Sequence, residues 1–140
     1  MNREIKFRAW NEYLKKMFKI GQITLEKGLW NYEPENREFI GMSIPYQPSL
    51  ILMQYTGLHD KNGKEIYEGD IVSFRLKKDR TELADLIGFI EYQTQYCAFK
   101  IVSYPLDGAF RIDDEVIIEV IGNVFEEGSL LNDSEKPKKN

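Results

Sequence analysis

One cysteine and one histidine are all that the 140 residues offer to thiol and imidazole chemistry. Cys97 alone excludes an internal disulfide framework and a cysteine-based zinc site, and His59 alone excludes a histidine metal cluster within one chain. No apolar run approaches the roughly 18 residues of a membrane-spanning helix, so no membrane segment is expected. The sequence passes from Met1-Asn2-Arg3-Glu4 directly into alternating residues without a signal-peptide pattern, which makes the cytoplasm the expected compartment. What is present is an ordinary globular composition, 42% hydrophobic and 30% charged, with an aromatic content of 13% that excludes a disordered acidic chain. A chain of this length buries about 68% of its unfolded surface, enough for a core without covalent staples.

Charge is unevenly spread within the net −4. Residues 1–20 carry six basic and two acidic groups, while residues 21–132 carry ten basic and nineteen acidic ones. An acidic molecule repels a polyanion beyond a Debye length of about 8 Å at physiological salt, so only a local basic strip could touch nucleic acid. Two such strips are candidates for a binding surface. The first is Arg3, Lys6, Arg8, Lys15 and Lys16 with Trp10 among them, and the second is Arg75, Lys77, Lys78 and Arg80. Solvated lysines on an edge hairpin are the plainer reading, and docking of the positive hairpin on the negative face of another copy is a further one.

The apolar pattern is that of strands. Ile5, Phe7 and Ala9 alternate with Lys6, Arg8 and Trp10, the period of a half-buried strand, and the polar stretch from Asn11 to Lys16 reverses the chain. Phe18 and Ile20 stand in one phase and Ile23 and Leu25 in the other, with Gly21 between, which implies a β-bulge. Leu29–Tyr32 and Phe39–Met42 are short strand candidates. Pro45 and Pro48 force an extended lead into Leu50–Tyr55. Turn formers then dominate: Asp60-Lys61-Asn62-Gly63-Lys64 reads as a tight reversal, and Glu68-Gly69-Asp70 as a second turn feeding Ile71–Leu76. A short carboxylate such as Asp70 suits acceptance of turn N–H groups. Ile87–Tyr92, Tyr96–Ser103, Ala109–Ile112 and Val116–Val124 complete the set. Asp79 and Glu82 have capping-box spacing, and 133–140 reads as a disordered tail.

The expected fold is mainly β: a small, strongly bent, SH3-like barrel in the C-terminal half with an N-terminal β-hairpin layer packed on it. The expected boundaries are 1–50 for the N-terminal layer, 51–132 for the barrel region and 133–140 for the tail. Inward candidates of the barrel are Val72, Phe74, Leu76, Phe89, Phe99, Ile101, Val116, Ile118 and Val120.

The run Met53-Gln54-Tyr55-Thr56-Gly57-Leu58, then Asp60-Lys61-Asn62-Gly63-Lys64-Glu65-Ile66-Tyr67-Glu68-Gly69-Asp70-Ile71-Val72, resembles the central signature of the YopX family of bacteriophages and prophages. Ile5-Lys6-Phe7-Arg8-Ala9-Trp10 with Lys15-Lys16-Met17 is similar to the family's N-terminal signature. Glu119-Val120-Ile121-Gly122-Asn123-Val124-Phe125 with Leu130-Leu131 is similar to its C-terminal one. The resemblance implies a phage-encoded, β-rich cytoplasmic protein of uncharacterised activity, and it carries over no catalytic residue. Position 59, often lysine or another polar residue in the family, is His59 here, which argues against a shared catalytic histidine.

Candidate chemistry is thin. His59 with Asp60 is a conceivable acid/base pair, but neighbours on an exposed turn are poorly held for catalysis. Cys97 shares its alternation with Phe99 and Ile101 and is expected to point inward as a small apolar filler; a Cys97–His59 nucleophile pair has only spacing in its favour. The acids Asp60, Glu65, Glu68 and Asp70, and later Asp113, Asp114, Glu115 and Glu119, match no cation-binding loop. Gly57, Gly63 and Gly69 lack the Gly-Lys-Ser/Thr ending of a phosphate loop. Thr56, Gly57, Asp60, Asn62, Gly63, Glu68, Gly69 and Asp70 are therefore read as structural turn residues, with no catalytic set, metal or cofactor expected. The function expected is a non-enzymatic phage accessory module for self-assembly or for binding a phage or host protein. Nucleic-acid binding through the basic strips is the alternative, and a metal-dependent hydrolase a minor one.

Overall fold

A computed structural model of the chain describes residues 3–26, 29–34, 50–77, 85–103, 108–113 and 115–133. The chain divides into two compact units, Met1–Tyr55 and Thr56–Asn140, and both are built of antiparallel strands. The expected strand at Phe39–Met42, the Pro45–Pro48 lead, the Asp79–Glu82 capping box and the tail beyond Asp133 lie outside the described residues.

In the first unit β1 (Phe7–Asn11) is flanked by β2 (Lys16–Glu26) and by the start of β4 (Leu50–His59), and β3 (Leu29–Pro34) lies outside β2. The turn between β1 and β2 forms because the Asn11 side-chain oxygen accepts the N–H groups of Tyr13 and Leu14, both at 2.9 Å. The bulge expected at Gly21 is present as a register slip between Ile20 and Gln22 in the β2–β3 ladder. β1 is paired along both edges, Trp10 lying opposite Met17 of β2 and Ile51 of β4, and Ala9, Trp10 and Asn11 are all buried. Trp10, placed by the sequence among the basic residues of the first strip, is thus buried in a strand paired on both sides.

β4 runs on past Tyr55 into the second unit, where β5 (Glu65–Tyr67) is its neighbour. The second sheet contains β6 (Asp70–Leu76), β7 (Leu86–Gln93), β8 (Ala98–Ser103), β9 (Gly108–Arg111) and β10 (Val116–Asn123) in the order β10-β6-β7-β8-β9. A five-residue helix, α1 (Ser129–Asp133), follows. Among the described residues no ladder joins β9 to β10, and no closed barrel is found there. The outer edge of β10 is instead met by the 60–64 turn, whose Lys61 N–H donates to the Ile118 carbonyl at 2.9 Å.

Ile66, Val72, Phe74, Ile90, Ile101 and Ile118 form the core of this unit, with Leu86, Phe99, Phe110, Ile112, Val116 and Val120 packed against it. Each fully buried side chain of the cluster contributes about 1.5–3 kcal/mol. Sequence phase misplaced one strand: Ile90 is inside and Phe89 only half-buried, and Leu76 is likewise outside the central cluster. The phase containing Ile90 also holds Gly88, which hides it from a hydrophobicity count. A methyl group at Gly88 would come within 2.5 Å of the Val102 carbonyl oxygen and 2.8 Å of Ile101 Cγ2. The core there is filled from the opposite strand.

Cys97 is also corrected. It is exposed, not inward, because β8 begins only at Ala98. Thr94–Tyr96 make a single 3-10 turn, and Cys97 ends it at φ 50°, a left-handed conformation that lifts it out of the strand alternation.

Candidate functional site: the acidic turns and the exposed hairpin tip

Asp60 is the hub of the central turns. Its Oδ1 accepts the N–H groups of Asn62 at 2.8 Å and Lys64 at 2.9 Å, and its Oδ2 accepts the Val120 N–H of β10 at 2.9 Å. Its own N–H donates to the Lys64 carbonyl, and its carbonyl accepts from Gly63. Burial alone would raise its pKa, but the three N–H donors and the nearby Lys64 charge outweigh this and hold the carboxyl below its ordinary value. A carboxylate so used has both oxygens engaged by this chain's own backbone. Lys61 and Glu119 add an ion pair at 3.1 Å across the same junction, worth little by itself because both groups are part-exposed.

The second turn follows the same logic. Asp70 is buried and its Oδ2 accepts the Tyr67 N–H at 2.8 Å, while Gly69, at φ 79°, donates to the Ile90 carbonyl and accepts from Val124. The left-handed backbone at that position is one that glycine adopts without a Cβ penalty. Thr56 Oγ1 donates to the Ile66 carbonyl at 2.8 Å and accepts the Leu58 N–H at 3.2 Å, tying β4 to β5. Asn62 lies in the turn beside Gly63, and Glu68 is half-buried before Gly69. Beyond β10, Asn123 Oδ1 accepts the N–H groups of Phe125 and Glu126, and Glu127 Oε2 accepts the Asn123 N–H at 2.8 Å. A Cβ on Gly122 would come within 2.6 Å of that same Glu127 oxygen, which accounts for the Gly122-Asn123 pair.

The other chemistry-bearing residues are dispersed. His59 is exposed at the end of β4, and Cys97 lies exposed between β7 and β8 with its Sγ 3.5 Å from the Thr94 carbonyl oxygen. Among the described residues no three His, Cys, Asp or Glu side chains are placed to hold a metal ion. Nor is any helix there long and apolar enough to cross a membrane.

The basic strips are broken up by carboxylates and rings. Lys6 pairs with Glu4 at 3.0 Å and lies over the Tyr55 ring, Lys15 pairs with Glu12 at 3.0 Å, and Lys16 lies over Phe18. Arg3 is exposed and Arg8 half-buried, opposite Lys19 in the β1–β2 ladder. In the second strip Arg75 is 3.5 Å from Asp85 and Lys77 is exposed, while Lys78 and Arg80 lie outside the described residues.

Sequence reasoning did not single out several of the exposed large side chains. Tyr13 is 84% exposed and Leu14 42% exposed at the β1–β2 tip, and Leu58 and Ile121 are 42% and 37% exposed in the second unit. The available signal was two apolar residues, Tyr13-Leu14, inside an otherwise polar reversal, where apolar side chains have no core to reach.

Two antiparallel β units, with β4 running from the first into the second and aspartate-centred turns within the second, define the class of protein. Within that class the family model described as YopX protein matches residues 6–132, and the chain belongs to that family. Solved structures agree. Protein EF1440 from Enterococcus faecalis is similar at 27% identity and a TM-score of 0.55, covering 93% of this chain and 99% of its own. Protein yopX from Bacillus subtilis shares the fold at 18% identity and a TM-score of 0.61, covering 90% of this chain and 97% of its own. No curated protein matches the chain.

Proposed function

We propose that this chain is a non-enzymatic accessory module of phage or prophage origin, acting in the host cytoplasm, whose work is to bind protein and first of all another copy of itself. The observation that carries this reading is the opposite charge of the two units. Met1–Tyr55 holds eight basic and six acidic residues, a net +2, while Thr56–Asn140 holds eleven basic and seventeen acidic ones, a net −6. Copies of such a chain attract when the first unit of one meets the second unit of another. The use of Asp60 and Asp70 by backbone N–H groups supports the same reading, because carboxylates so engaged are poorly disposed to act on a substrate. A nucleic-acid partner has less support, since Lys6, Lys15 and Arg75 each already have a carboxylate within reach.

Sedimentation velocity of the full chain over a wide concentration range tests the reading. The expected result is a species larger than one chain that dissociates as salt rises. A single-chain species at every concentration and salt would remove it.

A further inference from the structure

We infer that the outer face of β8 and β9 carries a site, built on Lys100 and Arg111, for a carboxylate of an acidic peptide segment. This deepens the protein-binding reading, on which it rests, and does not require self-association. Lys100 is buried, at 8% relative exposure, on a strand flanked by β7 and β9. A lysine is rarely so covered unless it has an anionic partner. Here no carboxylate is in ion-pair contact with it among the described residues, and its ammonium instead meets the Tyr96 ring, 4.5 Å from the centroid. The nitrogen itself is not sealed from solvent, so the covered part is the aliphatic stem. Packing thus holds a positive group in place while its N–H groups stay open to a ligand, which lowers the entropy lost on binding.

Arg111 is its neighbour. Lys100 lies opposite Arg111 in the β8–β9 ladder and opposite Glu91 in the β7–β8 ladder, so all three project from the face turned away from Ile90, Ile101 and Phe110 of the core. Like charges directly opposite one another weaken a sheet, and the nearby carboxylates relieve this pair only in part. Glu91 is turned to Gln93, whose Nε2 donates to its Oε2 at 3.3 Å. Asp113 lies 3.7 Å from Arg111, too far for a hydrogen bond, and its Oδ1 accepts the Glu115 N–H at 3.0 Å. The Arg111 side chain is 81% exposed, which leaves most of its donors to solvent. Directly opposite residues have Cβ atoms about 5 Å apart, so one carboxylate can bridge the two long cationic side chains. The guanidinium takes it through two parallel bonds and the ammonium adds a third. Lys100, Arg111, Glu91 and Asp113 together sum to zero, which disfavours a phosphate polyanion and admits a singly charged group held at short range. β9 ends the strand order, so among the described residues no further strand of this sheet stands between Arg111 and an approaching chain.

Three probes are titrated into the isotope-labelled full chain at constant ionic strength: a blocked Ser-Glu-Ser-Glu-Ser peptide, the same peptide with glutamine for each glutamate, and inorganic phosphate. The titrations are repeated with Lys100→Met, which keeps an unbranched apolar stem, and with Arg111→Gln. Arg111 is exposed enough that its replacement leaves the packing intact, so it decides the matter even where Lys100→Met unfolds. The expected result is saturable movement of the Tyr96, Lys100 and Arg111 amide signals with the acidic peptide, and a rise of about tenfold in Kd for each variant. The inference is overturned by no saturable movement with the acidic peptide, by equal movement with the glutamine peptide, by tighter binding of phosphate, or by an unchanged Kd in Arg111→Gln. Each of these leaves the sedimentation of the unaltered chain as it was, so this site can fail while self-association stands. A chain that takes up the acidic peptide but never assembles supports the site and removes self-association alone.

Discussion

Replacing Asp60 with alanine removes three acceptors at once, and their worth can be worked out one by one. Asn62 and Lys64 are exposed, so water takes up their freed N–H groups and each loss costs about 0.5–1 kcal/mol. The Val120 N–H is different, because its bond to Asp60 Oδ2 is part-buried and joins residues 60 positions apart. Leaving it unmet costs about 1–3 kcal/mol. The expected loss for Asp60→Ala is therefore about 2–5 kcal/mol, a large part of the roughly 5–15 kcal/mol that holds a domain together. Asp60→Asn retains an oxygen for Asn62 and Lys64 but turns an NH₂ group toward Val120, so it is expected to fall between alanine and the native residue. Hydrogen exchange at the Val120 amide, followed alongside urea unfolding, reads the effect locally and globally. The sign with pH is fixed by geometry. A carboxyl whose folded pKa lies below its unfolded value of about 3.9 contributes stability above that pH and loses it as pH falls through the folded value. The difference between the native chain and Asp60→Ala is therefore expected to shrink on acidification below about pH 4. A change under about 0.5 kcal/mol, or an unaltered Val120 exchange rate, would refute the turn-hub reasoning.

Three further outcomes follow from packing and backbone shape. Gly88→Ala places a methyl group against the Val102 carbonyl and Ile101, and is expected to cost about 1–3 kcal/mol in urea unfolding. Gly122→Ala displaces the Glu127 carboxylate, so the Asn123 amide is expected to exchange faster while the Ile101 amide is unaffected. Cys97 is expected to be accessible to a thiol reagent in the folded state, and Cys97→Gly to stabilise the chain by about 1 kcal/mol by relieving its left-handed backbone. Native-state protection of the thiol would contradict its placement.

Much of this architecture was legible in the sequence, and the misses share a cause. Alternation located β1, β4, β6, β8 and β10, and the phase change around Gly21 located a bulge, because an extra residue must swap faces. Pattern failed where the backbone leaves the strand geometry that alternation assumes. Cys97 was counted as a strand residue although a 3-10 turn intervenes, and Ile90 was passed over because its phase contains Gly88. Trp10 shares a phase with Lys6 and Arg8 yet is buried, because periodicity reports which residues share a face and not how many layers cover it. The three-residue β5 and the short α1 are too brief to leave a periodic signal. At the candidate site, turn chemistry singled out Asp60 and Asp70, but the bond from Asp60 to Val120 spans 60 residues and no local rule contains it. The exposure of Tyr13, Leu14, Leu58 and Ile121 is likewise a property of the folded chain, since nothing in their neighbours' identities says what they lie against.

The most direct measurement is the molar mass of the unaltered full chain in solution, by sedimentation equilibrium at low and high salt. The account predicts a mass above that of one 16.5 kDa chain at low salt that falls toward it as the charges are screened. A mass of one chain under all conditions, up to concentrations of tens of micromolar, would contradict it.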